Sequence, residues 1–223
     1  APYYLVRGSG PVTGGKVDSN DIKNFGLIYD ITKNLSVYSN FTEGFELAEV
    51  GRVLRANGVE QGVTLSNDYL AISPNIHENL EYGVRYNDGT TSFEANVFEQ
   101  NAPFGNSYMP NEDGLLEISR METQRNGYNL ILTHRLTSTF DFGLSYSVAD
   151  AKSDNDGNGS FETDLVSLSA GAPDQYKLYL NYDLGDWYGK FSWVKYQDKD
   201  FKGTDYTFKG YQIGNISVSR YIG

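Results

Sequence analysis

The densest run of cation-binding oxygens in this chain is Asp154-Asn155-Asp156-Gly157-Asn158-Gly159-Ser160-Phe161-Glu162-Thr163-Asp164. Asp154, Asp156, Asn158, Ser160 and Glu162 put oxygens at alternate positions, and Gly159 stands sixth. This is the first half of a calcium-loop pattern, in which the Gly permits the sharp turn that lets the oxygens converge on a hard cation. The twelfth position is Leu165, not the bidentate Glu of that pattern, and the flanking residues read as strands. Ca²⁺ in the loop after Lys152 is therefore one expectation. An Asp/Asn/Gly-rich hairpin loop with no cation is the other. No other cofactor is required.

Little else in the sequence could carry out chemistry. The two histidines, His77 and His134, are far apart, and no Ser/His/Asp set can be built on them. His134 shares the face of Leu130 and Leu132 near a strand end, which suits an interfacial polar-aromatic role. Glu81 and Arg85 share the opposite kind of face and read as charges on a wet wall, not as a general acid and base. Cysteine is absent, which removes disulfides, thiolate metal sites and Cys nucleophiles together. The chain is not expected to be an enzyme. Its net charge of -11 also argues against nucleic acid as a partner, because phosphate binding needs an excess of Lys and Arg.

The elements that would position these residues have a period of two. Leu80, Tyr82, Val84 and Tyr86 alternate with Glu81, Gly83 and Arg85. Phe140, Phe142, Leu144, Tyr146 and Val148 alternate with Asp141, Gly143, Ser145 and Ser147. The pattern predicts nine strands near 23–31, 35–45, 78–87, 91–102, 122–136, 139–152, 174–184, 187–199 and 208–221. It predicts no helix beyond a short turn within Glu46 to Ala56. In the last strand Tyr211 and Ile213 are odd while Ile216 and Val218 are even, which predicts a bulge near Gly214.

Link lengths are as informative as the strands. Thr32-Lys33-Asn34, Asn87-Asp88-Gly89-Thr90, Thr137-Ser138 and Gly185-Asp186 are tight. Glu46 to His77, Pro103 to Met121, Ser153 to Pro173 and Asp200 to Thr207 are long and polar. Short and long alternate, so an up-and-down meander gathers the long links at one end, as in outer-membrane barrels. Several strands run about ten residues, the spanning length of a tilted strand. The 18 Tyr and 12 Phe suit the lipid–water interface. The expected fold is all-β: an antiparallel up-and-down meander forming part of a transmembrane β-barrel.

The run from Asn24 to Phe45, with its Tyr29-Asp30 strand end, short turn and Glu43-Gly44-Phe45, resembles a hairpin of TonB-dependent outer-membrane receptors. Ser73-Pro74-Asn75 leading into Leu80-Glu81-Tyr82-Gly83-Val84-Arg85-Tyr86 resembles the strand after it, with Asn75 where Glu is usual. Arg125-Asn126-Gly127-Tyr128-Asn129-Leu130, and Gly171-Ala172-Pro173 with Tyr176 to Tyr182, resemble later strands of that family. The resemblance runs from residue 20 onward. It implies a ferric siderophore receptor or an importer of a similar bulky nutrient, in the outer membrane of a Gram-negative bacterium. Its partners would be outer-membrane lipid, a plug domain and a TonB-type energy coupler. The plug and the final strand with its terminal Phe are not in the sequence. Residues 1–223 are thus expected to be a barrel fragment that does not transport alone. Phe45, Arg52, Arg55, Tyr69, Phe104, Tyr108 and Tyr206 are the external-loop candidates for contact with a bulky anionic chelate. Two other readings stay open: a small stand-alone outer-membrane barrel with a structural or adhesive role, and a soluble β-rich binding domain.

Overall fold

Strict alternation leaves each strand with one apolar and one polar edge to its pleat, and such strands satisfy their backbones only by pairing sideways. The computed structural model describes residues 21–46, 75–110, 116–166 and 171–222 and has this arrangement. Nine strands form one antiparallel meander: β1 (Asn24–Thr32), β2 (Leu35–Glu46), β3 (Asn75–Asn87), β4 (Thr91–Pro110), β5 (Leu116–Arg135), β6 (Phe140–Ser153), β8 (Gln175–Asp183), β9 (Trp187–Tyr196) and β12 (Gln212–Arg220). Three two-residue strands sit in the links: β7 (Thr163–Asp164) beside β6, and β10 (Lys199–Asp200) paired with β11 (Thr207–Phe208). The described residues contain no helix. The tight links are true turns. Asp88 accepts the N–H groups of Thr90 and Thr91 at 2.8 and 2.7 Å, and Gly89 takes the positive φ of 87° that the turn needs.

The register is staggered. One lateral row of Cα partners runs from Tyr29 through Val37, Val84, Ala95, Leu130, Tyr146 and Tyr176 to Lys195. Tyr29 stands close to the turn that ends β1 at Thr32, whereas Lys195 stands far along β9 from its start at Trp187. Strands therefore tilt against the turn rim, which is the stagger a closing barrel requires.

Two expectations about irregularity are corrected. The Pro103–Met121 link is mostly strand, because β4 runs on to Pro110 and β5 begins at Leu116. The interruption is a one-residue bulge between Ala102 and Gly105, beside Pro103, which has no N–H to give a ladder. The bulge proposed near Gly214 is absent, since β12 pairs with β9 without a break from Gln212 to Arg220. Tyr211 and Ile213 lie on the face opposite Ile216 and Val218. There Tyr211 joins Tyr196 and Phe208 in an aromatic cluster, with ring centroids 4.8 and 5.9 Å away. Glu46 belongs to β2, and residues 47–56, where a helical turn was expected, lie outside the described residues.

The sheet is open. β1 and β12 form its two edges, and every residue of both is exposed. The apolar face is bare along its length: Leu27, Val97, Ile216 and Val218 are 70%, 54%, 78% and 65% exposed. Kept free of detergent, the isolated chain is expected to associate through this face and these edges. Light scattering should find oligomers, and a monodisperse detergent-free monomer would contradict the two-faced wall.

Burial concentrates instead at the end away from the turns. Ala149, Ala151, Ser153, Asp154, Pro173 and Phe201 are buried where the links after β6 and β9 dock on the β6 rim. Asp164 holds Lys202 through two backbone-linked bonds of 2.9 Å, and Lys199 Nζ donates to the Ala149 carbonyl at 3.1 Å. Asp154 organises the turn beyond it, accepting the N–H groups of Gly159 and Gly157 at 2.8 Å and of Asn158 at 3.2 Å. These donors, Gly159 first, hold its carboxyl below the ordinary carboxylate range. A depressed folded value stabilises the loop fully above the unfolded Asp value of about 3.9 and loses that effect as pH falls through the folded one. Hydrogen exchange, corrected for intrinsic rates, should show Gly157–Gly159 protection constant from neutral pH to about that value. Protection should drop below it. Protection unchanged at still lower pH would contradict the role given to Asp154.

Candidate functional site

The face opposite the apolar one carries a continuous polar network. Tyr38 of β2 lies over Gly83 of β3, where any Cβ would collide with its ring. Gly83 therefore lets the ring cross to the next strand. The Tyr38 hydroxyl reaches Glu81 and Glu94, 2.9 Å from an oxygen of each. Arg85 Nη2 donates to Glu94 at 3.2 Å, and its guanidinium stacks 4.2 Å above the Tyr38 ring. Asn96 donates to Glu81 at 2.7 Å, and Asn129 donates to Asn96 at 2.9 Å. The chain of contacts crosses β2, β3, β4 and β5. A second group continues it, with Asn181 donating to Asp141 at 2.8 Å and Tyr188 donating to Asn181 at 3.3 Å. Tyr179 covers Gly143 as Tyr38 covers Gly83. Glu81 and Arg85 thus stand on the wet wall as expected, but Arg85 takes Glu94, its direct cross-strand partner, as its ion pair.

The apolar face carries the aromatic rows. Tyr146 stacks on Tyr176 at 4.4 Å and meets Tyr128 edge-on at 5.7 Å, while its hydroxyl donates to Asp174 at 2.9 Å. Nearer the turns, Phe140 meets Tyr182 and His134 meets Phe142. His134 Nδ1 is also 2.8 Å from the Thr91 hydroxyl. Rings with polar tips along both borders of an apolar band are what a lipid interface selects.

Those residues singled out in the sequence that the structure describes fall at the end away from the turns. Phe45 is near the end of β2, and Phe104 and Tyr108 are on β4 at and beyond its bulge. Tyr206 lies between β10 and β11 with its ring 5.7 Å from Phe201. Arg52, Arg55 and Tyr69 lie outside the described residues. In the acidic loop, Asp154 serves the backbone as described, and Asp156 accepts from the Asn158 amide nitrogen at 2.8 Å. Asn158 in turn accepts the Ser160 N–H at 2.7 Å. A Ca²⁺ ion there would compete with the loop's own donors. Among the described residues no three His, Asp or Glu side chains gather as a metal set. Sequence reasoning missed Tyr38, Phe98 and Arg125 as wall residues. The parity of Tyr38 against the odd-numbered apolar residues Val37 and Phe41 was the available signal.

Comparison with known proteins agrees with this geometry. The chain is similar in fold to a copper transporter, OprC, with a TM-score of 0.69 at 14% identity over 90% of this chain and 31% of that one. It is similar to the FrpB iron transporter from Neisseria meningitidis, with a TM-score of 0.62 at 15% identity over 92% of this chain and 32% of that one. It is also similar to the ferric-catecholate import receptor Fiu from E. coli K12, with a TM-score of 0.58 at 16% identity over 90% and 28%. The chain spans about a third of the length of these structures. At such identities the likeness is one of fold. The model of the family described as "TonB dependent receptor-like, beta-barrel" matches residues 5–222. Barrels of that family are outer-membrane proteins of Gram-negative bacteria, and its members are receptors and transporters, not enzymes. This chain belongs to the TonB-dependent receptor β-barrel family.

Proposed function

We propose that this chain is part of the barrel wall of an outer-membrane receptor that imports a ferric siderophore or a similar bulky chelate. The observation that carries the reading is the two-faced open sheet. One face is bare and apolar with aromatic borders, and the other is knit by Tyr38, Glu81, Glu94, Asn96 and Asn129. In hydrocarbon an unpaired N–H or C=O costs several kcal/mol, so β1 and β12 require further strands beside them. Nine strands are less than half of a barrel of about 22, the size that encloses a plugged lumen. The plug, and the inner-membrane coupler that acts on it, belong to the remainder of the system. Phe45, Phe104, Tyr108 and Tyr206 stand at the loop end, where a bulky chelate would first touch the protein. Deleting the gene in its own bacterium under iron limitation is expected to abolish uptake of one iron-55 chelate from a panel. A protonophore should have the same effect on the wild type. Undiminished uptake of every chelate would contradict the proposal.

A further inference from the structure

Parity along β6 shows which face of its outer end is covered. Ala149, Ala151 and Ser153 are buried, and they share the polar face with Asp141, Ser145 and Ser147. Asp150, between them on the opposite face, keeps a side chain 58% exposed. Strands paired beside β6 cannot cover its face, so the cover comes from the links. In the link after β6, Leu165 donates its N–H to the Ala151 carbonyl at 2.8 Å, and Ser153 Oγ donates to the Thr163 carbonyl at 3.4 Å. In the link after β9, Lys199 Nζ donates to the Ala149 carbonyl at 3.1 Å and to Asp150 at 2.9 Å.

The two links also hold each other. Asp164 donates its N–H to the Lys202 carbonyl, and the Asp164 carboxylate accepts the Lys202 N–H, both at 2.9 Å. Gly203, at a positive φ of 76°, passes so close to Thr163 that a Cβ would come 3.1 Å from its hydroxyl oxygen. Phe201 is buried, with the Tyr206 ring 5.7 Å and Lys199 Nζ 5.5 Å from its centroid. Segments that open readily bury few groups and leave their backbone bonds in water. This pair does the reverse, and to lift it would expose Phe201 and Ser153 and break both sets of bonds. We propose that residues 153–166 and 198–210 form one fixed cover, a strap tied to β6 and laid over its lumen face, and not a lid that swings. Passage of a bulky molecule is then left to the rest of the barrel mouth. The inference takes only the lumen face from the barrel reading and does not depend on what is imported.

The test places single cysteines in the full-length receptor on intact, iron-starved cells and adds a maleimide on a polymer too large to cross the outer membrane. Asp205→Cys, at the exposed tip between β10 and β11, should react at once. Ser153→Cys, 1% exposed beneath the strap, should react at least about tenfold more slowly, because opening must precede reaction. A protonophore, which stops energised transport, should leave that rate unchanged. Adding Phe201→Ser, or the milder Asp164→Ala, should bring the rate at Ser153→Cys toward that at Asp205→Cys. Asp164→Asn, which keeps an oxygen for the Lys202 N–H, should leave it slow. Heat-modifiable migration on gels confirms that each variant is still a folded barrel. Equal rates at the two positions in the otherwise unaltered receptor overturn the inference. So does a rate at Ser153→Cys that the protonophore lowers, because either result means that the strap swings. A slow rate that survives both Phe201→Ser and Asp164→Ala overturns it too, by showing that something other than the strap covers β6.

Discussion

Everything in this structure depends on the backbone having no water to bond with inside a bilayer. A strand in that setting must give each N–H and C=O to a neighbour, and the run of pairings from β1 to β12 meets that demand for every interior strand. The demand also fixes the sequence pattern, because lateral pairing sends alternate side chains to opposite faces. Lipid takes Leu27, Val97 and Leu144 on one side, and water takes Glu81, Asn96 and Asn129 on the other. The staggered row from Tyr29 to Lys195 shows the same constraint at the scale of the sheet, since tilted strands are the geometry in which edges can meet.

The wet wall is more ordered than a solvated surface needs to be. Gly83, Gly127 and Gly143 each carry an aromatic ring from the neighbouring strand, and the rings hold what stands on them. Tyr38 supports Arg85, and Phe98 supports Arg125. The first cation pairs with Glu94, and the Nε of the second meets no acceptor among the described residues. The loops packed on the β6 rim have their own small core around Phe201 and Ser153, so the outer end is structured independently of the lipid.

Much of this was legible from alternation alone. The nine long strands lie within a few residues of the pattern in most cases, and the tight turns fall where Asp88-Gly89 and Gly185 put them. Alternation failed where the strand leaves the membrane. Beyond Ala102 the residues of β4 are no longer selected for lipid, so Phe104 to Pro110 carry no apolar period, yet the backbone ladder with β5 goes on. It misled at Gly214, where apolar residues on both faces of β12 were taken for a shift in register. Tyr211 in fact meets Tyr196 and Phe208 across the wet rim. The acidic loop shows a third limit. Spacing placed oxygens at Asp154, Asp156 and Asn158 but could not tell whether they turn toward a cation or toward their own amides.

The central claim is that one face of each strand meets lipid and the other meets an aqueous lumen. The sequence contains no cysteine, so single cysteines placed in turn from Phe140 to Ala149 can be spin-labelled in the full-length protein in liposomes without background. Collision with oxygen, which partitions into lipid, should peak at Phe140, Phe142, Leu144, Tyr146 and Val148. Collision with a water-soluble nickel chelate should peak at Asp141, Ser145 and Ser147, the side chains of the opposite face that are not covered. Equal accessibility along the strand, or the reverse alternation, would contradict the account.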